Sequence, residues 1–313
     1  MKRISSFGNT RYYRVDTDCG DEMIVVDRLG NVITNGEKQN NLLEKLYGTV
    51  IGRCVLKILV CRFVSNIGGW YMNSSLSKHM IKSFIEENKI DMSQYIDKEF
   101  TSYNDFFTRK IIEGKRPFLV NDNVLISPAD SKLSCYRIDD DSCFLIKNTL
   151  YSLSDLLNND ILAKEYLNGY CLIFRLSVDD YHRYSYIDDG KIVESKYIPG
   201  EFHTVNPIAN DYYPIYKRNS RNYTIIESKN FGKMIQMEVG AMMVGKIVNY
   251  DKKYCHKGEE KGYFEFGGST VIILFKDNQV IIDDDIIKNT NEGKETVVKL
   301  GETIGKKYSR EVK

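Results

Sequence analysis

Two glycines directly precede a serine and a threonine near the C-terminal end of the chain, in the run Gly267-Gly268-Ser269-Thr270 between two strand-like segments. A serine hydroxyl can attack the carbonyl carbon of the residue before it, and glycine there leaves the approach free of a side chain. The resulting ester can eliminate to dehydroalanine, which hydrolyses to a pyruvoyl group at a new N-terminus. Such a ketone binds amines and accepts the electrons of a departing carboxylate. The pattern alone is also typical of a glycine bulge or a tight hairpin bend.

Other patterns that carry chemistry are missing from the sequence. It has no phosphate-binding loop, no dinucleotide-binding glycine motif, no HExxH pair and no GxSxG nucleophile elbow. Because there are only 4 histidines, we expect no multi-histidine metal site. The 7 cysteines form no CxxC pair, so we expect neither a zinc site nor a disulfide framework, and we expect a reducing compartment.

The charge balance and the apolar runs limit the partners. Lys plus Arg is 44 and Asp plus Glu is 43, so no basic excess points to nucleic acid. This balance is compatible with local contact between part of the protein and an anionic membrane. The first 15 residues lack the apolar stretch of a signal peptide. We also expect no transmembrane helix, because no uncharged run reaches about 18 apolar residues.

The elements that must position the Gly-Gly-Ser-Thr run fall into three stretches of the 313-residue chain. Residues 1–40 are predicted to form irregular strands and turns, and residues 41–90 to form helices. Residues 120–285 are predicted as short strands with one helical interruption. We therefore predict the α+β class, with a β-rich catalytic body at 101–313 and a helical, membrane-associating region at 1–100.

The segment 50–64 is the most apolar part of the predicted helical region. Arg53 and Lys57 are four residues apart and share one helix face, while Arg62 falls on the opposite side. Two interpretations stay open: a half-buried helix, or a helix that lies in a membrane interface.

Seven segments, in this order, resemble those of the phosphatidylserine decarboxylase family. They are NDFFTRKIIEGKRPF (104–118), ISPADSK (126–132), LYSLSDLL (150–157), RLSVDDYHRYSYIDDG (175–190), GEFHTVNPIA (200–209), MEVGAMMVGKI (237–247) and KGEEKGYFEFGGST (257–270). The Gly-Gly-Ser-Thr form is similar to that of clostridial-type members. The resemblance covers about residues 100 to 305 and favours the self-cleavage chemistry over a plain glycine bend.

The resemblance implies a role for individual residues. The bond between Gly268 and Ser269 would be cut by the chain itself, giving a larger chain 1–268 and a smaller chain 269–313. Ser269 would become a covalent pyruvoyl group that forms a Schiff base with the substrate amine. Asp130 matches the family's charge-relay aspartate, which orients a protonated histidine, and His182 matches a histidine near the substrate that can return a proton after carbon dioxide leaves. Without the family, Asp130 followed by a serine is more typical of a turn residue, and the alternative for His182 is a hydrogen-bonded histidine at a strand end.

The sequence departs from the family where its base for self-cleavage is expected. Ser185 occupies that position, and a serine cannot take a proton at neutral pH as an imidazole can. Three outcomes stay open: no cleavage, slow cleavage assisted by His182, Asp130 or water, or relocation of the base to His203 or His256. Strand alternation would point His182 to the face opposite position 185 unless the segment bends.

The function expected from the resemblance is that of a lyase, with phosphatidylserine in a membrane as substrate and phosphatidylethanolamine and carbon dioxide as products. The resemblance implies no metal, pyridoxal phosphate or nucleotide, and it suggests a homodimer at the cytoplasmic face of the cell membrane. One alternative is a family member that does not cleave and binds lipid or a partner protein. Another is a pyruvoyl decarboxylase of a soluble amino acid.

Overall fold

Short helices and many strands make up this structure, which is a computed structural model. It describes residues 5–7, 10–12, 24–33, 45–49, 52, 55–56, 62–139, 143–146, 149–201, 203–204, 215–241, 246–267 and 269–309. The helices are α1 (Arg62–Asn73), α2 (His79–Glu87), α3 (Tyr103–Phe107), α4 (Leu153–Leu157), α5 (Asp160–Lys164), α6 (Ile215–Arg218) and α7 (Asp284–Asn291), with 3-10 helices at Ser75–Lys78 and Met92–Gln94.

The strands follow one another with little helix between them after α3. They are β1 (Ser5–Phe7), β2 (Thr10–Tyr12), β3 (Ile24–Val26), β4 (Val124–Ile126), β5 (Ser131–Arg137), β6 (Cys143–Ile146), β7 (Thr149–Ser152), β8 (Tyr170–Leu176), β9 (Arg183–Ser185), β10 (Gly190–Ile198), β11 (Arg221–Ser228), β12 (Gly232–Val239), β13 (Ile247–Asn249), β14 (Tyr254–Cys255), β15 (Glu260–Phe264), β16 (Ser269–Phe275), β17 (Val280–Ile282), β18 (Lys294–Val298) and β19 (Thr303–Lys307).

A 9-stranded sheet, which we call the main sheet, has the order β14-β10-β11-β12-β16-β8-β5-β18-β3. The pairs on both sides of β16 are antiparallel, and β18 with β3 is a parallel pair. β16 therefore lies in the middle of the sheet. Every one of its residues is buried, which accords with its unbroken apolar run from Val271 to Phe275.

The ends of four neighbouring strands meet at one edge of the main sheet. β16 begins at Ser269, which pairs with Leu176 at the end of β8, and β5 begins at Ser131. On the other side, β12 ends at Val239, which pairs with Thr270. Because adjacent strands are antiparallel, residues far apart in sequence converge at this edge, which we call the site edge.

A 3-stranded sheet of order β13-β15-β9 lies over one face of the main sheet. Lys261 on β15 forms an ion pair with Glu238 on β12, with Nζ and Oε2 2.7 Å apart. The side-chain amide of Gln236 donates to the carbonyl of Ser185 on β9 at 3.1 Å. These polar contacts fix the small sheet above the site edge.

An aromatic cluster joins the N-terminal helices to the segment before β16. The rings of Tyr103 and Phe107 on α3 have centroids 5.1 Å and 5.3 Å from that of Phe266. The backbone N–H of Phe266 donates to Asn104 Oδ1 at 2.9 Å, and Asn104 Nδ2 donates to Asn73 Oδ1 at 3.0 Å. The chain is therefore held three residues before Ser269 by both packing and hydrogen bonds.

The predicted α+β class is confirmed, and β16 forms the strand-like segment that was predicted on the C-terminal side of the two glycines. The division at residue 100 stays a prediction. β3, within the region 1–100, pairs with β18 at the edge of the main sheet, so this part of the N-terminal region adds to the β-rich body.

The membrane-associating segment predicted at 50–64 lies largely outside the described residues, including the side chains of Arg53, Lys57 and Arg62. Among the helices that the structure does describe, none has the length and apolar character needed to cross a membrane.

We predict that Phe106→Ala lowers the free energy of unfolding by about 3–5 kcal/mol, because it empties a buried ring site. Phe106 is fully buried, with centroids 5.4 Å from Phe100 and 6.0 Å from Phe84. Urea denaturation would measure the change, with Ile161→Ala as control, since Ile161 is 82% exposed. A loss below about 1 kcal/mol for Phe106→Ala would show that the cluster does not support the fold.

Candidate active site

Ser269 opens the central strand and carries a buried hydroxyl that has no hydrogen-bond partner among the described residues. A buried hydroxyl without a partner costs free energy, so such a group usually has a functional reason. Just before it, Gly267 has φ 130°, a backbone conformation that side-chain-bearing L residues rarely adopt. Gly268, the other half of the predicted cleavage site, lies outside the described residues.

His182 lies beside the segment that leads to Ser269. Its ring centroid is 4.1 Å from that of Phe107, and its carbonyl accepts from the N–H of Phe264 at 2.9 Å. Its Nδ1 is 2.9 Å from the carbonyl oxygen of Asp180. Because a carbonyl oxygen only accepts, Nδ1 carries the proton and Nε2 carries the lone pair. Nε2 is buried and has no partner in the described part of the chain.

Burial lowers the pKa of His182 to about 3, against an opposing effect of the hydrogen bond to Asp180. The ring is therefore neutral near pH 7. The predicted alternation does not fix its orientation, because β9 begins at Arg183 and His182 precedes it. The structure thus brings a neutral imidazole and the Ser269 hydroxyl to the same edge of the main sheet.

Asp130 lies at the site edge directly before β5, and Arg116 is its main partner. The guanidinium donates in a bidentate manner, from Nε to Oδ1 at 3.0 Å and from Nη2 to Oδ2 at 2.7 Å. The N–H of Leu300 donates to Oδ1 at 2.8 Å, and Lys299 Nζ lies 3.6 Å from Oδ2. Burial raises the pKa of Asp130, but these donors and cations outweigh it and hold the pKa below its ordinary value.

Ser185, at the position of the missing base, adjoins the Asp130 loop. Its N–H donates to the carbonyl of Pro128 at 2.9 Å, while its buried Oγ is unpaired within the described residues. A cavity of about 180 Å³ opens at this position and is lined in part by Arg116, Ser185 and Leu300. The serine therefore leaves space next to the Arg116–Asp130 pair, at the position where the resemblance implies an imidazole.

The two other histidines considered as replacements for the base have different surroundings. His203 is buried, and its Nε2 lies 2.9 Å from Glu201 Oε2 while its Nδ1 lies 3.4 Å from the hydroxyl of Tyr47. Asn219 bonds both the carbonyl of His203 and that of Gly240, so His203 lies near the site edge with both ring nitrogens occupied. Burial lowers its pKa, against the effect of Glu201.

His256 is not brought to the site edge. Its side chain is 75% exposed on the turn before β15, with Nδ1 3.6 Å from Asp189. Because the His256 ring lies in solvent and the Ser269 hydroxyl is buried, the ring is not placed to act on that hydroxyl.

The resemblance assigned a role to Asp130 but none to its partner Arg116, which lies in the quoted segment 104–118. It also assigned none to the fully buried Glu238–Lys261 pair, whose members lie in the quoted segments 237–247 and 257–270. The motifs contained these residues, but only the three-dimensional structure shows what they contact.

The residues present fit a pyruvoyl group formed from the chain itself. The fit rests on the buried hydroxyl of Ser269, which lacks a partner in the described regions, and on the glycine conformation at position 267. A metal centre finds no such support, since the described residues contain no cluster of three or more His, Cys, Asp or Glu side chains suited to one.

Comparison with known proteins relates the chain to phosphatidylserine decarboxylases. The family model described as phosphatidylserine decarboxylase matches residues 103–306. Phosphatidylserine decarboxylase proenzyme 2 of Clostridium acetobutylicum is 52% identical over 272 residues, covering 86% of this chain and 94% of that protein. The phosphatidylserine decarboxylase proenzyme of Clostridium tetani is 46% identical over 280 residues, covering 88% of this chain and 93% of that protein. That of Ruminiclostridium cellulolyticum is 44% identical over 271 residues, covering 84% and 90%.

We predict that His182 makes the stability of the protein depend on pH. Unfolding releases its ring to a pKa near 6.5, whereas the folded value is about 3, so only the unfolded chain takes up this proton between those values. The free energy of unfolding should therefore be fully retained above about pH 6.5 and fall as the pH decreases, by up to about 1.4 kcal/mol per pH unit.

Denaturant titrations of the wild type and of His182→Gln between pH 7 and pH 5 measure this slope. The variant should show a flatter dependence, while His79→Gln, at an exposed histidine, should keep the wild-type slope. Equal slopes in all three proteins would mean that His182 is not held neutral in the folded state.

Proposed function

The chain belongs to the phosphatidylserine decarboxylase family, and we propose that it converts phosphatidylserine to phosphatidylethanolamine and carbon dioxide with a pyruvoyl group made from its own Ser269. The observation that carries this proposal is the buried hydroxyl at the start of β16, which finds no partner among the described residues and lies inside the matched range. The relatives named as proenzymes support a self-cleaving chain.

The proposal assigns Ser269 the attack on its preceding carbonyl, with chains 1–268 and 269–313 as products. Once formed, the pyruvoyl group supplies an electrophilic ketone that holds the substrate amine and accepts the electrons of the departing carboxylate. The glycine conformation at 267 supports this assignment, because it leads the backbone into the attacked bond along a course that a residue with a side chain rarely adopts.

In this proposal, His182 transfers a proton to and from the substrate. Its open Nε2 can accept a proton when the amine binds, and the same nitrogen can then return one to the carbon that has lost carbon dioxide. The low pKa of the unliganded protein favours the neutral, accepting form. The carboxylate and phosphate of the substrate bring negative charge to the site, which raises the pKa toward the range needed for this exchange.

The arrangement of α1 supports contact with a lipid surface, which is where the acyl chains of the substrate remain. Ile67 and Trp70 are three residues apart on α1 and share a face, and they are 52% and 72% exposed. Leu76, in the following 3-10 helix, is 68% exposed. The peripheral position at the cytoplasmic face of the membrane and the homodimer, both expected from the sequence, belong to this proposal.

We predict that purified wild-type protein is two chains, 1–268 and 269–313, and that the smaller one begins with a blocked, carbonyl-bearing residue. Intact mass spectrometry measures both chains, and borohydride in the presence of phosphatidylserine should add a covalent mass to the smaller one. Ser269→Ala should remain a single full-length chain, because it has no hydroxyl to attack the bond.

Two outcomes would contradict the proposal in different ways. A wild-type chain that stays in one piece and gives no carbonyl reaction would favour the non-cleaving, lipid-binding alternative. A cleaved chain that releases carbon dioxide from a free amino acid and not from phosphatidylserine would favour the soluble-substrate alternative.

We predict that vesicles containing phosphatidylserine shift the fluorescence of Trp70 to shorter wavelength, because the ring moves from water into the lipid interface. The chain has 1 tryptophan, so the signal has one source. Replacing Ile67 and Leu76 together by serine should weaken vesicle binding at least about tenfold, because two apolar side chains no longer leave water. Ile161→Ser, at an exposed site on α5, serves as the control. No shift with any vesicle would remove α1 as the contact.

A further inference from the structure

We propose that Glu238 is the proton acceptor for the Ser269 hydroxyl in self-cleavage, in place of the histidine that this chain lacks at position 185. The inference rests on the proposed function, since it concerns the same cleavage. It assigns a chemical role to a buried carboxylate in the strand beside Ser269, in addition to the ion pair with Lys261 by which that carboxylate holds the small sheet.

The register of the main sheet puts the two side chains on one face. Glu238 on β12 pairs directly with Val271 on β16, and Ser269 is two residues before Val271. Paired residues share a face, and so do residues two apart in a strand. Glu238 and Ser269 are therefore diagonal neighbours on the same face, a spacing that a side chain as long as glutamate can bridge.

The carboxylate of Glu238 is anchored through one oxygen and open at the other. Oε2 accepts from Lys261 Nζ at 2.7 Å and from Asn249 Nδ2 at 2.8 Å. Oε1 is buried and lacks a partner within the described regions, as does the hydroxyl of Ser269. An open acceptor and an open donor thus lie across one strand pair, and a rotamer change of either side chain would join them.

The electrostatics suit a base. Burial raises the pKa of Glu238 above its ordinary value, with Lys261 opposing this effect, so the carboxylate is more basic than an exposed one. The titratable groups that face it are Lys261 on β15, Tyr184 on β9 and Tyr186 just beyond β9. Burial raises the pKa of both tyrosines, which stay neutral in the working range.

A hydrogen bond of Gln236 connects the face that carries Glu238 with position 185, where the histidine is missing. Gln236 is two residues from Glu238 on the same face, and its side-chain amide binds the carbonyl of Ser185. Position 185 and Glu238 therefore approach Ser269 from the same side of the main sheet. A carboxylate on this face can take up the role that an imidazole at 185 would have.

The transfer of the acyl group from the backbone nitrogen of Ser269 to its hydroxyl oxygen needs only groups of the chain itself. Glu238 Oε1 takes the hydroxyl proton as Ser269 Oγ bonds to the carbonyl carbon of Gly268. The bond from that carbon to the backbone nitrogen of Ser269 then breaks, and Glu238 returns the proton to this nitrogen as it becomes an amine. The carboxylate ends the step ionised, as it began, and no external reactant is consumed.

The test follows the conversion of freshly translated full-length chain into its two fragments by intact mass, at several pH values between 5 and 9. Wild-type cleavage should accelerate as the pH rises through the pKa of Glu238. Glu238→Gln keeps the shape and the contact with Asn249, and it should slow cleavage on the order of a hundredfold and remove the dependence on that group. Adding Ser185→His to Glu238→Gln should restore cleavage, because an imidazole then supplies the base.

The matched control is Glu295→Gln, which also removes a buried carboxylate from an ion pair in the main sheet, here with Arg175. Register places Glu295 on the face opposite Ser269, so this variant should cleave within about twofold of wild type. Equal slowing by Glu295→Gln and Glu238→Gln would trace the effect to a weakened sheet and overturn the proposal.

Four further results of the cleavage assay would overturn the role of Glu238. Wild-type rates in Glu238→Gln overturn the role of Glu238 and leave the proposed function intact, whereas an uncleaved wild type overturns both. A soluble Glu238→Gln that Ser185→His does not rescue assigns Glu238 a structural role and overturns the proposal. If Glu238→Gln is insoluble, Glu238→Asp keeps the charge beside Lys261 and withdraws the oxygen, and cleavage at the wild-type rate in that variant overturns it.

Discussion

The burial of the first residue of the central strand is the constraint on which the site depends. β16 must lie between β12 and β8 because each of its side chains from Val271 onward is apolar and buried. Ser269 is carried into the same interior by the ladder, and its hydroxyl meets no partner among the described residues. A buried hydroxyl without a partner lowers the stability of the folded state by about 1–3 kcal/mol. The packing of β16 therefore holds the hydroxyl of Ser269 in a place that its own hydrogen bonding disfavours.

The charge balance of the site is separate from its proton chemistry. A buried carboxylate such as Asp130 must be paired, and Arg116 pairs it with two hydrogen bonds. Arginine stays charged in proteins, so it stabilises Asp130 at every working pH but cannot take a proton from serine. With Ser185 where the resemblance implies a histidine, the charge at Asp130 is still compensated, while the capacity to accept a proton has to come from another group. Among the described residues, the buried acceptor atoms without a partner at this edge include those of His182 and Glu238, whose imidazole and carboxylate can take up a proton, and the hydroxyl and amide oxygens of Ser185, Thr270 and Gln236, which cannot do so near neutral pH.

Local patterns in the sequence predicted the elements better than their partners. The apolar run at 269–275 is a strand in the structure because every position in it fits a buried environment, and the mostly buried β8 at Tyr170–Leu176 lies within the stretch 120–285 that was predicted as short strands. The parallel pairing of β3 with β18 joins residues near 25 to residues near 295, and no local pattern encodes such a long-range pair. Motif resemblance named Ser269, His182 and Asp130, whereas the position of Glu238 follows from register, which a single sequence does not show.

The contacts around Phe266 connect the two ends of the proposed reaction path. Asn104 holds the backbone of Phe266 through its side-chain oxygen and holds Asn73, the last residue of α1, through its nitrogen. Ile67 and Trp70 lie on the same short helix as Asn73, so the apolar surface proposed to touch lipid and the segment that ends at Ser269 are parts of one packed unit. A headgroup that enters from a lipid surface beside α1 would then meet a site whose distance from that surface is set by side-chain packing. Rigid coupling of this kind would suit the proposed substrate, whose acyl chains stay in the bilayer, because a membrane bound at α1 would itself orient the headgroup toward the reacting serine.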